Sequence, residues 1–354
     1  MTEALANRIA DPAAPPVVVA EISGNHNGDR QRFLDLIRAA ADTGVDAVKF
    51  QTYTADTITL PVDSGAFRIS ADHPLWPGAR LYDLYEQAHT PWSWHHSGFA
   101  LARELGIEAF SSPFDKTATD FLEEFDPPAY KIASLEIVDL PLITYVASKG
   151  RPVIISAGTA NAAEVCAAVE AARQGGASDV VVLQCTSSYP AEPRDANLRT
   201  IPALAAQLDV AVGLSDHTMG IGVSIAAVAL GARVIEKHFT LSRSDGGVDS
   251  AFSLEPTELA ELVTEARNAF VALGSPRTNA HTAEAESLRL RRSLYVATNV
   301  VSGELITEEN VRSVRPNGGL APVEIYKLLG KRFRADAEVG TPMSWSLVEP
   351  DATN

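Results

Sequence analysis

Two apolar runs in the second half of the chain each end in a histidine: GLSDH (213–217) and VIEKH (234–238). Imidazoles closing neighbouring strands can share a divalent cation, and imidazole with carboxylate suits Mn²⁺, Fe²⁺, Zn²⁺ or Co²⁺. Each histidine taken singly also has a bland reading, as a hydrogen-bonded core side chain. Lysines hold comparable places in DAVKFQ (46–51) and YKIAS (130–134). A lone lysine at a strand end commonly serves an ion pair. Lys49 and Lys131 together, beside several serines at the strand ends, suit a clamp for phosphate or carboxylate. The first run, VVVAE (17–21), ends in Glu21, with Ser23, Asn25 and His26 close behind. HExxH and paired CxxC are absent, which argues against a closed structural zinc site.

These residues need a frame that brings them together. Eight β-rich runs alternate with helical patterns: 17–21, 46–51, 107–112, 130–134, 152–156, 180–185, 210–215 and 233–239. Continuous apolar runs of this kind suit strands buried on both faces. Eight such units over about 250 residues predict a (β/α)8 TIM barrel, with chemistry at the ends of the strands. A doubly wound open sheet is the rival, and the lack of a glycine-rich phosphate fingerprint counts against it. In a barrel the polar residues that end the strands share one mouth, Gln51 and Tyr189 among them. Alternation puts Glu236 and His238 on one face and Lys237 on the other, structural, face. Residues 52–90 form a long insertion, the usual mark of a lid or binding loop. His73, His89, His95, His96 and His281 fall in loop or surface-helix contexts and receive no role. Trp92 and Trp94 are expected to pack, with Thr90 as the cap of their helix.

The 354 residues carry a net charge of −16 and are 46% hydrophobic. That balance suits a well-cored globular protein and speaks against nucleic-acid binding, which needs a basic face. No apolar stretch is long enough for a membrane span. Two cysteines, Cys166 and Cys185, give no disulfide framework and point to the cytoplasm. Residues 1–14 read as a flexible arm, 15–272 as the barrel domain and 273–290 as a linker. Residues 291–354 read as a small separate domain.

The stretches EISGNHNGD, DAVKFQTYTADTITL, FSSPFD, YKIAS, QCTSSYP, GLSDHT and EKHFTL resemble the sialic acid synthase family. The resemblance runs in order from residue 17 to 350. Its tail is similar to the antifreeze-like (SAF) domain of these synthases, through VRPNGG. LWPGARLYDLYEQAHTPWSWH and GGVDSAFSLEP are closest to the pseudaminic acid synthases within that family. Ser187 stands where sialic acid synthases proper usually have asparagine.

The resemblance implies condensation of phosphoenolpyruvate with an acylated amino sugar, here 2,4-diacetamido-2,4,6-trideoxy-L-altrose. It implies a metal on His217 and His238, Mn²⁺ first, with Mg²⁺ or Co²⁺ as alternatives. Lys49, Lys131, Ser134, Ser156, Ser187 and Ser215 would hold phosphoenolpyruvate. Glu21 would be the acid/base group, and Gln51, Tyr189, Glu236 and Asp249 would line the sugar side. Arg315 would reach the sugar in a partner's barrel, in a domain-swapped homodimer. Synthesis of N-acetylneuraminic or legionaminic acid is the rival activity. A sugar-binding protein of surface polysaccharide assembly is the rival outside enzymes.

Overall fold

The computed structural model describes residues 2–73, 75–279 and 281–350, and the chain divides into two compact units between Gly274 and Ser275. In the first unit eight strands close into a barrel in sequence order. They are β1 (Val17–Glu21), β2 (Ala47–Thr52), β3 (Glu108–Pro113), β4 (Tyr130–Ile132), β5 (Val153–Ser156), β6 (Val180–Cys185), β7 (Ala211–Asp216) and β8 (Val234–His238). All pair in parallel, and β8 returns to β1 with Glu21 beside His238. The (β/α)8 expectation therefore holds.

Each strand sends alternate side chains to two different cores. Val17, Val19, Ala47, Phe110, Ile154 and Val181 fill the barrel. Val18, Ala20, Val48, Phe50, Ile155 and Ile235 pack outward against the helices. This double burial explains why the strands read as unbroken apolar runs. The helix Arg30–Asp42 shows how the outer layer is made. Asp29 caps it by accepting from the Gln31 and Arg32 N–H groups, and Phe33, Leu36, Ile37 and Ala40 face the sheet. Gly98 is needed for this packing, since a Cβ there would lie 2.7 Å from the Phe33 ring.

Several expectations need correction. Residues 2–10 are a helix, not a flexible arm. Leu5 and Ile9 are buried with Val17, Val19 and Val234, where they close the barrel core from below. Arg233 fastens the segment by donating to the carbonyls of Arg8, Ile9, Asp11 and Ala14. β4 stops at Ile132, so Ser134 lies beyond it. His95 is fully buried rather than on the surface, and its Nε2 pairs with Thr52 Oγ1 at 2.8 Å. Thr90 is not a cap: Pro91 is the N-cap residue of the helix Trp92–Glu104, and Thr90 Oγ1 meets His26 Nε2 at 3.1 Å. His26 thus belongs to the packing around Trp94.

The insertion after β2 holds the helices Ala55–Ile58 and Leu81–Ala88. Between them Arg68 and Arg80 form an antiparallel bridge, and Ile69 N–H donates to Ala79 at 2.9 Å. The second unit pairs β9 (Ser293–Val296) with β10 (Val311–Val314) in antiparallel register. Leu294, Val296, Ile306, Val311, Leu328 and Phe333 form its core. The stretch before it, expected as a linker, contains the short helix Ala285–Arg289. Among the described residues, no helix is long and apolar enough to cross a membrane.

Candidate active site

Toward the carboxyl ends of the strands the barrel interior turns from apolar to ionisable. Register sets Glu21 beside Lys49 and His238, and Ser215 beside Glu236. Lys49 Nζ lies 3.0 Å from Glu236 Oε1 and 3.0 Å from Glu21 Oε2. The second contact is an ion pair without hydrogen-bond alignment, so that carboxylate oxygen has no hydrogen-bond partner. Gln51 Nε2 donates to the other Glu21 oxygen at 2.9 Å, and Ser215 Oγ donates to Glu236 at 3.1 Å. All of these residues but Gln51 are buried.

One cation between two carboxylates treats them unequally. Burial raises the Glu21 pKa, and Lys49 only partly opposes it. Burial also acts on Glu236, but Lys131 and Lys49 outweigh it and hold that carboxyl well below the usual range. Lys131 Nζ donates to Ser156 Oγ at 2.6 Å and to the Ile132 carbonyl at 3.0 Å. Burial lowers its pKa to about 8. Lys49 and Lys131 thus set two ammonium groups beside the firm carboxylate of Glu236. Ser134 Oγ and Ser187 Oγ meet at 2.6 Å. Gly158 leaves them room, since a Cβ there would stand 3.0 Å from Ser134 Cβ and collide with Ser187.

The rings of His217 and His238 are 5.2 Å apart. Burial pushes the His217 pKa down to about 4 and that of His238 well below normal, so both are neutral at pH 7. His217 Nδ1 lies 3.0 Å from the Thr186 carbonyl, which assigns it the proton and leaves Nε2 free to ligate. His238 Nδ1 is buried with no partner. This donor set fits a divalent cation. Among the described residues, no three His, Cys, Asp or Glu side chains form a metal-holding group. The other ligands would be water or substrate oxygens.

Beside this cluster lies a cavity of about 230 Å³ that reaches Gln51, Ser134, Tyr189, His238 and Asp249. Asp249 accepts from Ser23, and burial raises its pKa. Tyr189 packs on His217. The structure therefore joins the predicted residues of the barrel in one region. Arg315 lies in the second unit, directly after β10. Lys237 is structural, as alternation predicts: its Nζ meets Asp216 Oδ2 at 2.8 Å on the outer side.

Glu136 escaped the sequence reading. It lines the same cavity, its Oε2 has no partner, and burial pushes its pKa up to about 7. Its signal was weak because the strand ends before it and alternation no longer applies.

Comparison with known proteins identifies the family. The NeuB family model matches residues 36–278 and the SAF domain model residues 291–349. The chain is 42% identical to a pseudaminic acid synthase of Campylobacter jejuni, over 93% of this chain and 95% of that one. It is 40% identical to a pseudaminic acid synthase of Helicobacter pylori, over 95% and 98%. A crystal structure of an N-acetylneuraminic acid synthetase from Leptospira borgpetersenii superposes with a TM-score of 0.68 at 33% identity. That match covers 78% of this chain and 91% of the other. Fold, relatives and family models converge: the chain is an enzyme of the NeuB family, with a SAF domain at residues 291–349.

Proposed function

We propose that this enzyme is a pseudaminic acid synthase. It condenses phosphoenolpyruvate with 2,4-diacetamido-2,4,6-trideoxy-L-altrose and releases phosphate by C–O cleavage. The observation that carries the reading is the meeting of Lys49, Lys131, Glu21, His217 and His238 at one barrel mouth, in a chain so similar to pseudaminic acid synthases.

Phosphoenolpyruvate brings several negative charges into a buried site. Lys131 and Lys49 neutralise them, and hydroxyls of Ser134, Ser156, Ser187 and Ser215 donate to its oxygens. Lys49 exchanges part of its pairing with Glu21 for the incoming anion. Glu236 keeps its hold on Lys49 and so fixes the ammonium in place. His217 and His238 would hold a divalent cation, Mn²⁺ first, and the chemistry it would supply there is Lewis-acid polarisation of the sugar's aldehyde oxygen. C3 of phosphoenolpyruvate attacks the aldehyde carbon, and water adds at C2. The tetrahedral intermediate then expels phosphate with its bridging oxygen. Glu21, with its raised pKa and an oxygen free of hydrogen bonds, moves a proton in these steps. Gln51, Tyr189 and Asp249 orient the sugar.

The reading includes a homodimer in which Arg315 of one copy covers the sugar bound in the other. It also places the enzyme in the cytoplasm, where Cys166 and Cys185 stay reduced. Incubation with phosphoenolpyruvate, Mn²⁺ and the altrose sugar should give one equivalent of phosphate and a nine-carbon keto acid of matching mass. Phosphate release only with N-acetylmannosamine, or with no sugar, contradicts the proposal.

A further inference from the structure

The cavity beside the charge cluster has lining of two kinds, and Phe114, Leu135 and Val248 add apolar surface outside the insertion. Gln51, Ser134, Glu136, Tyr189, His238 and Asp249 make one side polar. The insertion after β2 makes the other side apolar, through Ile58, Ile69, Trp76, Leu81 and Leu84. None of these five is buried. The helix Leu81–Ala88 is the clearest case: Leu81, Leu84, Tyr85 and Ala88 follow helical spacing and all line the cavity, yet the helix has no buried residue. A stripe of this kind ordinarily packs into a core. Here it faces a space continuous with His238 and Gln51. The hairpin carrying Ile69 is pinned by the Arg68–Arg80 bridge, and Trp76 reaches across to Tyr189, with ring centroids 6.4 Å apart. The apolar wall is therefore held against the sugar side of the site.

We infer that this wall is the specificity element of the enzyme and receives the methyl-bearing, 6-deoxy end of the sugar. The inference rests on the proposed condensation of a sugar aldehyde. Hydroxyl and amide groups of the sugar find partners on the polar side. A C6 hydroxyl directed at Ile69 and Leu84 has none and gives up its water. An apolar pocket rejects an added hydroxyl by at most about 100-fold, so the expected preference for 6-deoxy over 6-hydroxy sugar is about 10- to 100-fold in kcat/KM.

The test compares matched 6-deoxy and 6-hydroxy sugars in the wild type, Ile69→Thr and Leu84→Asn. The altrose pair and the N-acetylmannosamine pair are both used. The wild type should favour the 6-deoxy member. Each variant should bring the ratio to within a few-fold of unity, with the KM for phosphoenolpyruvate unchanged. Both substitutions lie in segments without buried side chains, and circular dichroism checks that folding survives. Turnover of only the mannosamine pair refutes the proposed substrate, yet its 6-deoxy member should still lead. A wild type indifferent to C6 overturns the inference, and so does a preference that neither variant moves. Absence of turnover with either pair removes the inference together with the proposed reaction.

Discussion

The imidazoles of His217, directly after β7, and His238, which ends β8, have ring centroids 5.2 Å apart and both pack against Phe252. Burial keeps them neutral, the state that binds metal. Replacing either by alanine should lower turnover by about 100-fold or more, since loss of several kcal/mol of transition-state stabilisation is at stake. Mn²⁺ binding, followed calorimetrically, should fall in parallel while circular dichroism stays constant. Full activity with metal retained contradicts the assignment.

In the proposed role Lys131 should give the reaction a pH limit. Its pKa is lowered to about 8, chiefly by burial. Below that pH it is an ammonium group that attracts phosphoenolpyruvate, and above it the charge is lost. KM for phosphoenolpyruvate should therefore rise above about pH 8, approaching tenfold per unit. Lys131→Arg, which keeps its charge, should move the rise to higher pH. An unchanged break in that variant assigns it to another group.

Arg315 should matter for one substrate only. Arg315→Ala is expected to raise KM for the sugar by about tenfold or more and that for phosphoenolpyruvate by less than about twofold, in line with loss of a charge-assisted contact. Equal losses for both substrates count against its role as a cover.

The amino-terminal helix should contribute stability without chemistry. Ile9 is buried against the barrel core. Ile9→Ala should cost about 2–5 kcal/mol in denaturant unfolding, with both KM values unchanged. A stability change below about 0.5 kcal/mol would mean that the helix is not seated as described.

Much of this was legible in the sequence because burial on both strand faces leaves a strong mark. VVVAE and VVVLQC match β1 and β6 residue for residue. Alternation separated Glu236 and His238 from Lys237 because β8 is regular throughout. Features that depend on distant partners left no local signal. The first helix is short and polar in parts, and it is seated by Leu5, Ile9 and carbonyl contacts to Arg233. His95 reads as exposed because Ser93, His96 and Ser97 surround it in sequence beside the tryptophans, while Phe99, Phe121 and Phe125 enclose it in space. Glu136 follows a strand of three residues, too short to project an alternation forward.

The proposed reaction breaks the C–O bond of phosphoenolpyruvate, and the bridging oxygen reports this directly. Phosphoenolpyruvate labelled with ¹⁸O at that position is turned over with Mn²⁺ and the altrose sugar, and the products are weighed by mass spectrometry. The label should appear wholly in the released phosphate. Label retained in the keto acid means P–O cleavage and contradicts the account.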